Sequence, residues 1–271
     1  MKKIISVLTV LSFLAVTFTG CTNQGKRGGG VVAVDGSTSV EKVIGYLSES
    51  YMEENSDVRV TYNPTGSGSG IQAVLDGRCD IGLSSRNLKD KEKDELVGTV
   101  VAIDGIAVIV NLKNPVKNLT LEQVAAVYRG DIKNWNELGG DDSPIVPIGR
   151  EAASGTRDGF ESLTGTKDSC KYSQELTSTG DVVQTVSSNP NAIGYTSLAA
   201  VKDTVKAIDI DGVTPTIETI QNGTYKIQRN FLFVTKKNTE LPKEAKKFFD
   251  FATSSEAEAL IIKAGAVPAA R

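Results

Sequence analysis

Residues 31–51 read VVAVDGSTSVEKVIGYLSESY and hold a short apolar run, a polar turn and a helical pattern in that order. Asp35 and Gly36 end the apolar run and are typical of a turn. From Val40 to Tyr51 the apolar residues recur three or four positions apart, which predicts an amphipathic helix. The stretch therefore predicts a strand, a turn and a helix. The hydroxyl side chains of the turn are Ser37, Thr38 and Ser39.

The same unit recurs further along the chain. Residues 58–62 alternate like a strand and lead into TGSGSG at 65–70, after which a helical pattern begins. A strand-like run at 145–148 leads into REAASGT at 150–156 and another helical pattern. Residues 103–110 predict a further strand. Strands that alternate with helices in this way indicate an α/β architecture.

Three hydroxyl-rich turns thus stand at predicted helix starts. A helix start presents unpaired N–H groups and a partial positive charge, and hydroxyl groups add further donors, so such turns suit a tetrahedral oxyanion. One such turn alone is an ordinary helix cap, but three at strand ends in one chain favour a ligand site, since α/β sheets bind ligands at their carboxyl ends. The candidate donors are Thr38, Ser39, Ser67, Ser154, Gly155 and Thr156. Residues 66–68 lack the remaining glycine and lysine spacing of nucleotide-binding loops, which excludes that alternative.

Charged residues beside these turns extend the candidate site. Arg150 follows a strand and precedes Ser154 by four residues, which places it to hold an oxyanion with two parallel hydrogen bonds. For Arg86 and Arg157 the sequence leaves two roles open, direct contact or pairing with neighbouring groups. Asp104 lies in an apolar segment, where a carboxylate requires a partner. It is either a turn or cap residue or the acceptor of a ligand proton.

The composition narrows the class of function. The chain has 271 residues, no histidine, three cysteines and a formal net charge of -3. Without histidine there is no Ser-His-Asp triad and no ordinary histidine-ligated zinc site, and three scattered cysteines cannot form a four-thiolate site. We therefore expect no enzyme activity, no cofactor and no metal. A slightly acidic chain is also a poor candidate for nucleic-acid binding.

The first 20 residues are typical of a targeting segment. A basic start and a short apolar run precede Cys21, a pattern that resembles a bacterial lipoprotein signal in which this cysteine receives the lipid. The alternative is ordinary cleavage that leaves Cys21 free. We assign 1–20 to the signal and 21–30 to a flexible tether. Removal of residues 1–20 alone leaves 28 basic and 33 acidic residues and a net charge of about -5. The sequence leaves open whether Cys79 and Cys170 form a disulfide.

Taken together, GSTS at 36–39, GSGSG at 66–70, DIGLSSR at 80–86 and REAASGT at 150–156 resemble the phosphate-binding proteins of bacterial ABC transporters. The order and spacing of these motifs match from about residue 31 to the carboxyl terminus. The resemblance implies a type II periplasmic-binding fold, an α/β structure of two lobes joined by two hinge crossings, with phosphate in the cleft between them. It implies a permease and an ATPase as partners. We expect a monomer, exported and lipid-anchored on the outer face of the cytoplasmic membrane.

One position departs from that family. Its best-known branch carries an aspartate where this chain has Ser85, and that aspartate receives the proton of the ligand; here Asp104 is the candidate acceptor. A carboxylate would accept a hydrogen bond from hydrogen phosphate and repel sulfate, which carries no proton.

The predicted lobes are residues 31–112 together with 231–271, and residues 113–230. The alternatives are a receptor for sulfate or molybdate, or a surface lipoprotein with an adhesin or sensory role. The predicted phosphate contacts are Thr38, Ser39, Ser67, Ser85, Asp104, Arg150, Ser154, Gly155 and Thr156, with Ser37, Arg86 and Arg157 behind them.

Overall fold

The computed structural model describes residues 30–270, so the predicted signal and nearly all of the predicted tether, with Cys21, lie outside the described part. Strands and helices alternate along most of this part, as the sequence predicts. The strands are β1 (Val31–Gly36), β2 (Arg59–Pro64), β3 (Ile81–Ser84), β4 (Leu96–Asn111), β5 (Asn118–Leu119), β6 (Val146–Arg150), β7 (Gln174–Leu176), β8 (Ala192–Ser197), β9 (Val205–Ala207), β10 (Asp209–Ile210), β11 (Gln228–Lys236) and β12 (Val267–Pro268). The α-helices are α1 (Glu41–Glu54), α2 (Ser67–Leu75), α3 (Asp90–Lys93), α4 (Leu121–Arg129), α5 (Gly155–Thr164), α6 (Thr179–Ser188), α7 (Ile217–Gln221), α8 (Lys243–Ala252) and α9 (Glu258–Lys263).

One long strand, β4, joins the two halves of the molecule. The main sheet has the strand order β2-β1-β3-β11-β4-β8-β6-β7, with β9 and β12 also paired to β4. Residues 96–105 of β4 pair with β11, whereas residues 106–110 pair with β8. The strand therefore leaves one lobe and enters the other between Gly105 and Ile106. The fold is the two-lobed α/β class expected from the sequence, and the lobe boundaries given there remain a prediction.

Each lobe has its own apolar core. In the first lobe, the buried faces of α1 and α8 cover the β-sheet. In the second lobe, the aromatic rings of Tyr128, Phe160 and Tyr195 pack together between α4, α5 and β8, with the Phe160 and Tyr195 rings stacked at a centroid distance of 4.0 Å. Because the cores are separate, the lobes can move as bodies while each stays folded.

Local sequence signals account for several helix boundaries. The Thr120 hydroxyl accepts a hydrogen bond from the Gln123 backbone N–H, and the Gln123 side chain accepts from the Thr120 N–H, which confirms the predicted capping box of α4. The same helix ends at Gly130, whose φ of 77° is a left-handed conformation that favours glycine. These local caps mark where α4 begins and ends, and the Asp211 carboxylate adds a contact from elsewhere in the fold by accepting from the Leu121 N–H at 3.1 Å.

Replacing Phe160 with alanine should lower the free energy of unfolding by about 3–5 kcal/mol, because it empties the centre of the aromatic cluster. Phe160 is fully buried. Urea denaturation followed by circular dichroism measures the change. Leu163→Ala is the matched control in the same helix, since Leu163 is 38% exposed and should cost far less. Equal losses in the two variants would contradict the role of Phe160 in this core.

The structure also bears on the cysteines, on membrane-spanning helices and on metal sites. Cys79 and Cys170 are both free thiols. Within residues 30–270, no helix combines the length and the apolar character that crossing a bilayer requires. In that same part of the chain, no group of carboxylates or cysteines is arranged to hold a metal ion.

Candidate functional site

Hydroxyl side chains from both lobes meet in one buried cluster where the lobes face each other. The first lobe supplies them from the turn after β1, the start of α2 and the end of β3. The second lobe supplies them from the starts of α5 and α6. All of these side chains are nine-tenths or more buried: Ser37, Thr38, Ser39, Ser67, Ser85, Ser154, Thr156 and Thr179.

Direct hydrogen bonds cross between the lobes inside this cluster. The Ser39 hydroxyl shares one hydrogen bond with Thr156 at 2.7 Å and another with Thr179 at 3.0 Å. The Thr38 hydroxyl shares a hydrogen bond with Thr179 at 3.0 Å and accepts one from the Thr179 backbone N–H. The cleft is therefore closed, and the hydroxyls of Thr38, Ser39, Thr156 and Thr179 each have a partner in the opposite lobe.

Arg150 places a positive charge at the edge of the hydroxyl cluster. Its guanidinium donates to the carbonyls of Leu176 and Thr177, which fix its plane, and to the hydroxyls of Thr38 and Thr179. The side chain is 2% exposed, and burial lowers the pKa of Arg150 from its ordinary value, while the nearby Glu151 carboxylate acts in the opposite direction. A guanidinium held in this way can donate to an oxyanion in the cleft.

Gly155 lies against the first lobe with no room for a side chain. A Cβ atom at this position would stand 2.4 Å from the Ser67 hydroxyl and 2.7 Å from the Ser85 hydroxyl. These two hydroxyls share a hydrogen bond at 3.1 Å, and the Ser37 hydroxyl donates to Ser85 at 2.8 Å. The glycine therefore permits the start of α5 to approach the turns of the first lobe closely.

Ser154 caps α5 rather than reaching across the cleft. Its hydroxyl accepts from the backbone N–H groups of Thr156 and Arg157. These two N–H groups now donate to the Ser154 hydroxyl. An oxyanion bound at the start of α5 would accept from them in its place, as oxyanions do at helix N-termini.

Arg157 supports the backbone of Arg150. Its guanidinium donates to the Arg150 carbonyl at 3.0 Å and forms ion pairs with Glu161 at 2.8 Å and Glu175 at 3.1 Å. It also lies over the Tyr172 ring, 4.9 Å from the centroid. Of the two roles that the sequence leaves open, these contacts favour pairing over direct contact with a ligand.

Arg86 is turned away from the hydroxyl cluster. Its guanidinium forms a two-pronged ion pair with Glu92, with both hydrogen bonds at 2.8 Å, and also donates to the Asn87 carbonyl. Burial acts to raise the pKa of Glu92, but the hydrogen bonds from Arg86 and the Lys89 backbone outweigh it and the pKa lies below its ordinary value. This pair ties the segment after Ser85 to α3, which again favours a supporting role.

Asp104 is fully buried beside the cluster and already has partners. Its Oδ1 accepts from the Ser197 hydroxyl at 2.7 Å, and its Oδ2 accepts from two nitrogens of Arg229 at 3.1 Å and 3.0 Å. Burial raises the pKa of Asp104, while the Arg229 charge and the Ser197 hydroxyl act to lower it. Arg229 in turn donates to the Ser85 carbonyl at 3.4 Å. Accepting a ligand proton would require Asp104 to share an oxygen that another group holds, so that role remains a prediction.

Two residues of this region were not predicted from the sequence. Thr179 contacts both lobes, and Arg229 is the buried partner of Asp104. A signal for Thr179 exists, because TSTG at 177–180 is a fourth hydroxyl-rich turn before a helical pattern. Arg229 carries no such signal, since it is separated from Asp104 by 125 residues.

Two α/β lobes that share one sheet and close over a buried site define a binding protein of the type II periplasmic class. Residues 22–256 match the family model described as PBP superfamily domain, and the chain belongs to that family. Sequence relatives agree with this assignment. The phosphate-binding protein PstS of Borreliella burgdorferi is 30% identical over 98% of this chain and 98% of its own length, and that of Bacillus subtilis is 29% identical over 96% and 92%.

Solved structures are similar over most of the chain. A crystal structure described as a phosphate ABC transporter substrate-binding protein of Clostridium perfringens, with bound phosphate, is 39% identical with a TM-score of 0.85 and covers 89% of this chain and 100% of that one. An ABC-type phosphate transport receptor from Vibrio cholerae is 34% identical with a TM-score of 0.71, over 88% and 100%. The predicted class of fold and the predicted family are therefore confirmed.

Proposed function

We propose that this protein captures inorganic phosphate outside the cell and delivers it to the permease and ATPase subunits of an ABC importer. The observation that carries the proposal is the buried cluster of hydroxyls from both lobes, with the guanidinium of Arg150 at its edge. This donor set has the chemistry of a tetrahedral oxyanion site. Relatives named phosphate-binding protein, and a neighbour with bound phosphate, support inorganic phosphate as the ligand.

Binding in this proposal exchanges one set of hydrogen bonds for another. The hydroxyls that now pair across the cleft would turn to donate to the anion, and the backbone N–H groups at the start of α5 would do the same. Closure then removes water from the site, which strengthens each of these electrostatic contacts. The proposed contacts are Thr38, Ser39, Ser67, Ser85, Arg150, Ser154, Gly155, Thr156 and Thr179.

In this proposal the site binds phosphate without changing it chemically. Its described donors are hydroxyls, amides and one guanidinium, none of which is paired with a base in a way that would make it a nucleophile. The ligand would leave unchanged when the lobes separate. In this proposal the protein acts as a receptor, and we expect it to work as a monomer that needs no cofactor.

Titration calorimetry on the mature domain tests the ligand. We expect phosphate to bind tightly, with sulfate and molybdate weaker by a factor of about 10⁴ or more, because a site that hydrogen-bonds a ligand proton rejects an analogue without one. Sulfate or molybdate binding as tightly as phosphate would contradict phosphate specificity and assign the protein to another oxyanion.

A lipid anchor on Cys21 would hold the receptor at the outer face of the cytoplasmic membrane. The cysteine follows a short apolar run with a basic start, as in lipoprotein signals. In the native host, Cys21→Ala should move the protein from the membrane fraction to the soluble exported fraction, and mass spectrometry of the wild-type amino terminus should show acyl chains. An unmodified wild-type Cys21 would contradict the anchor.

A further inference from the structure

The backbone of Arg150 is held by side chains that lie behind the hydroxyl cluster. Its N–H donates to the Tyr195 hydroxyl at 3.3 Å, and its carbonyl accepts from the Arg157 guanidinium at 3.0 Å. Among the described residues, β8 pairs with β6 only at Val146 and Pro147, so side chains and not that strand bind these two groups. Both backbone groups of Arg150 are therefore placed by specific side chains.

Two further contacts close these hydrogen bonds into a cyclic network. The Glu161 carboxylate accepts from Arg157 at 2.8 Å and from the Tyr172 hydroxyl at 2.9 Å. Because an ion-paired carboxylate has no proton to give, Tyr172 directs its single proton to Glu161. The hydrogen bond of 3.1 Å between the two tyrosine hydroxyls is then donated by Tyr195. The network thus contains five hydrogen bonds and begins and ends at the backbone of Arg150.

The network is closely packed inside the second lobe. The Tyr195 side chain is fully buried, and the Tyr172 ring lies against β6, where a Cβ at Gly149 would stand 2.2 Å from it. Burial raises the pKa of both tyrosines above the ordinary value, so both hydroxyls stay protonated at neutral pH and keep donating. All members of the network belong to the same lobe, so it stays intact when the cleft opens.

We propose that Tyr172 and Tyr195 are positioning residues that hold Arg150 in place for the anion through this network. This inference rests on the proposed function. The carbonyls of Leu176 and Thr177 fix the plane of the guanidinium, whereas the network fixes the backbone from which the side chain extends. A cation that is already in place loses little freedom on binding, and a displaced donor makes a weaker hydrogen bond. Neither tyrosine contacts the anion, and each acts on it through Arg150.

Replacing either tyrosine with phenylalanine tests this role, because the aromatic ring stays and only the hydroxyl is lost. Titration calorimetry should show that Tyr172→Phe and Tyr195→Phe bind phosphate about 5- to 30-fold more weakly than the wild type, since each change leaves a buried member of the network without its partner. Tyr128→Phe is the matched control. Its ring packs against those of Tyr172 and Tyr195, but its hydroxyl lies outside the network, so phosphate affinity should stay within about twofold of the wild type.

A double-mutant cycle shows whether the tyrosines act through Arg150. In the Arg150→Ala background, Tyr172→Phe should change phosphate affinity by less than about twofold, because the side chain that the network positions is absent. A purely structural role would instead weaken binding by the same factor in both backgrounds. Thermal melting of each variant confirms that the affinities are measured on folded protein.

Two results would overturn the proposal. One is a phosphate affinity within about twofold of the wild type in both single tyrosine variants. The other is a loss in Tyr172→Phe that persists undiminished when the Arg150 side chain is absent. A wild type that does not bind phosphate would instead contradict the proposed function itself.

Discussion

Alanine at position 150 is expected to weaken phosphate binding about 30- to 1,000-fold, a loss of about 2–4 kcal/mol. The wild-type guanidinium is buried and has its plane fixed by the carbonyls of Leu176 and Thr177, so little ordering remains to be done when it meets an anion. Its removal also leaves the hydroxyls of Thr38 and Thr179 without a charged donor. Calorimetry with phosphate measures the loss.

Two controls separate the charge of Arg150 from its shape. Arg150→Lys keeps the charge but not the planar fork, so it should recover only part of the affinity. Arg78→Ala removes an arginine from the exposed surface, where its partner is Asp76, and should not change binding. A loss below about tenfold in Arg150→Ala would place this residue outside direct contact with the anion.

Alanine at position 155 should weaken phosphate binding about 10- to 100-fold, because the added methyl group would hold the cleft open. The new carbon would overlap the hydroxyls of Ser67 and Ser85 at 2.4 Å and 2.7 Å. These side chains are short, and turning them away would break the hydrogen bond between them. Because Gly155 and the two serines belong to different lobes, the lobes can separate slightly and the protein stays folded.

The matched control for Gly155 is Gly45→Ala. Gly45 also lies in a helix, and a Cβ at its position would meet no atom within 4 Å. That variant should keep wild-type affinity and gain a little stability, since alanine favours a helix more than glycine does. Wild-type affinity in Gly155→Ala would show that close approach at this point is not needed for binding.

Features with a local cause were the ones that the sequence could predict. Thr120 and Gln123 cap α4 within four residues of chain, and Ser154 caps the next helix in the same way. The hydroxyl-rich turns sit at helix starts because strand, turn and helix follow each other directly in the chain. Within each lobe the turns lie side by side because parallel strands present their carboxyl ends at one edge. The meeting of the two lobes' turns does not follow from that rule, since antiparallel pairs through β11 and β4 separate the two sets of strands.

Contacts between residues that are far apart in the chain could not be predicted from local sequence patterns. The apolar neighbours of Asp104 predict a buried carboxylate, which the structure has, but its partner Arg229 lies 125 residues away in the chain. The sequence allows Arg86 two roles, because Glu92, six residues further on, becomes its partner only once α3 is formed. Glu151 carries no signal in the sequence, because nothing in its neighbours shows that one of its oxygens is shielded from water in the fold.

The path of β4 and the positions of the chain ends decide which half of the molecule can move. The strand β1 begins at Val31 in the first lobe, and β12 near the carboxyl terminus pairs with residues 102–103 of β4, also in the first lobe. The second lobe is thus an insertion into the first. A membrane attachment through the amino-terminal segment would be joined directly to the first lobe alone. The second lobe could then close over the ligand and open again without moving the segment that joins the protein to the bilayer.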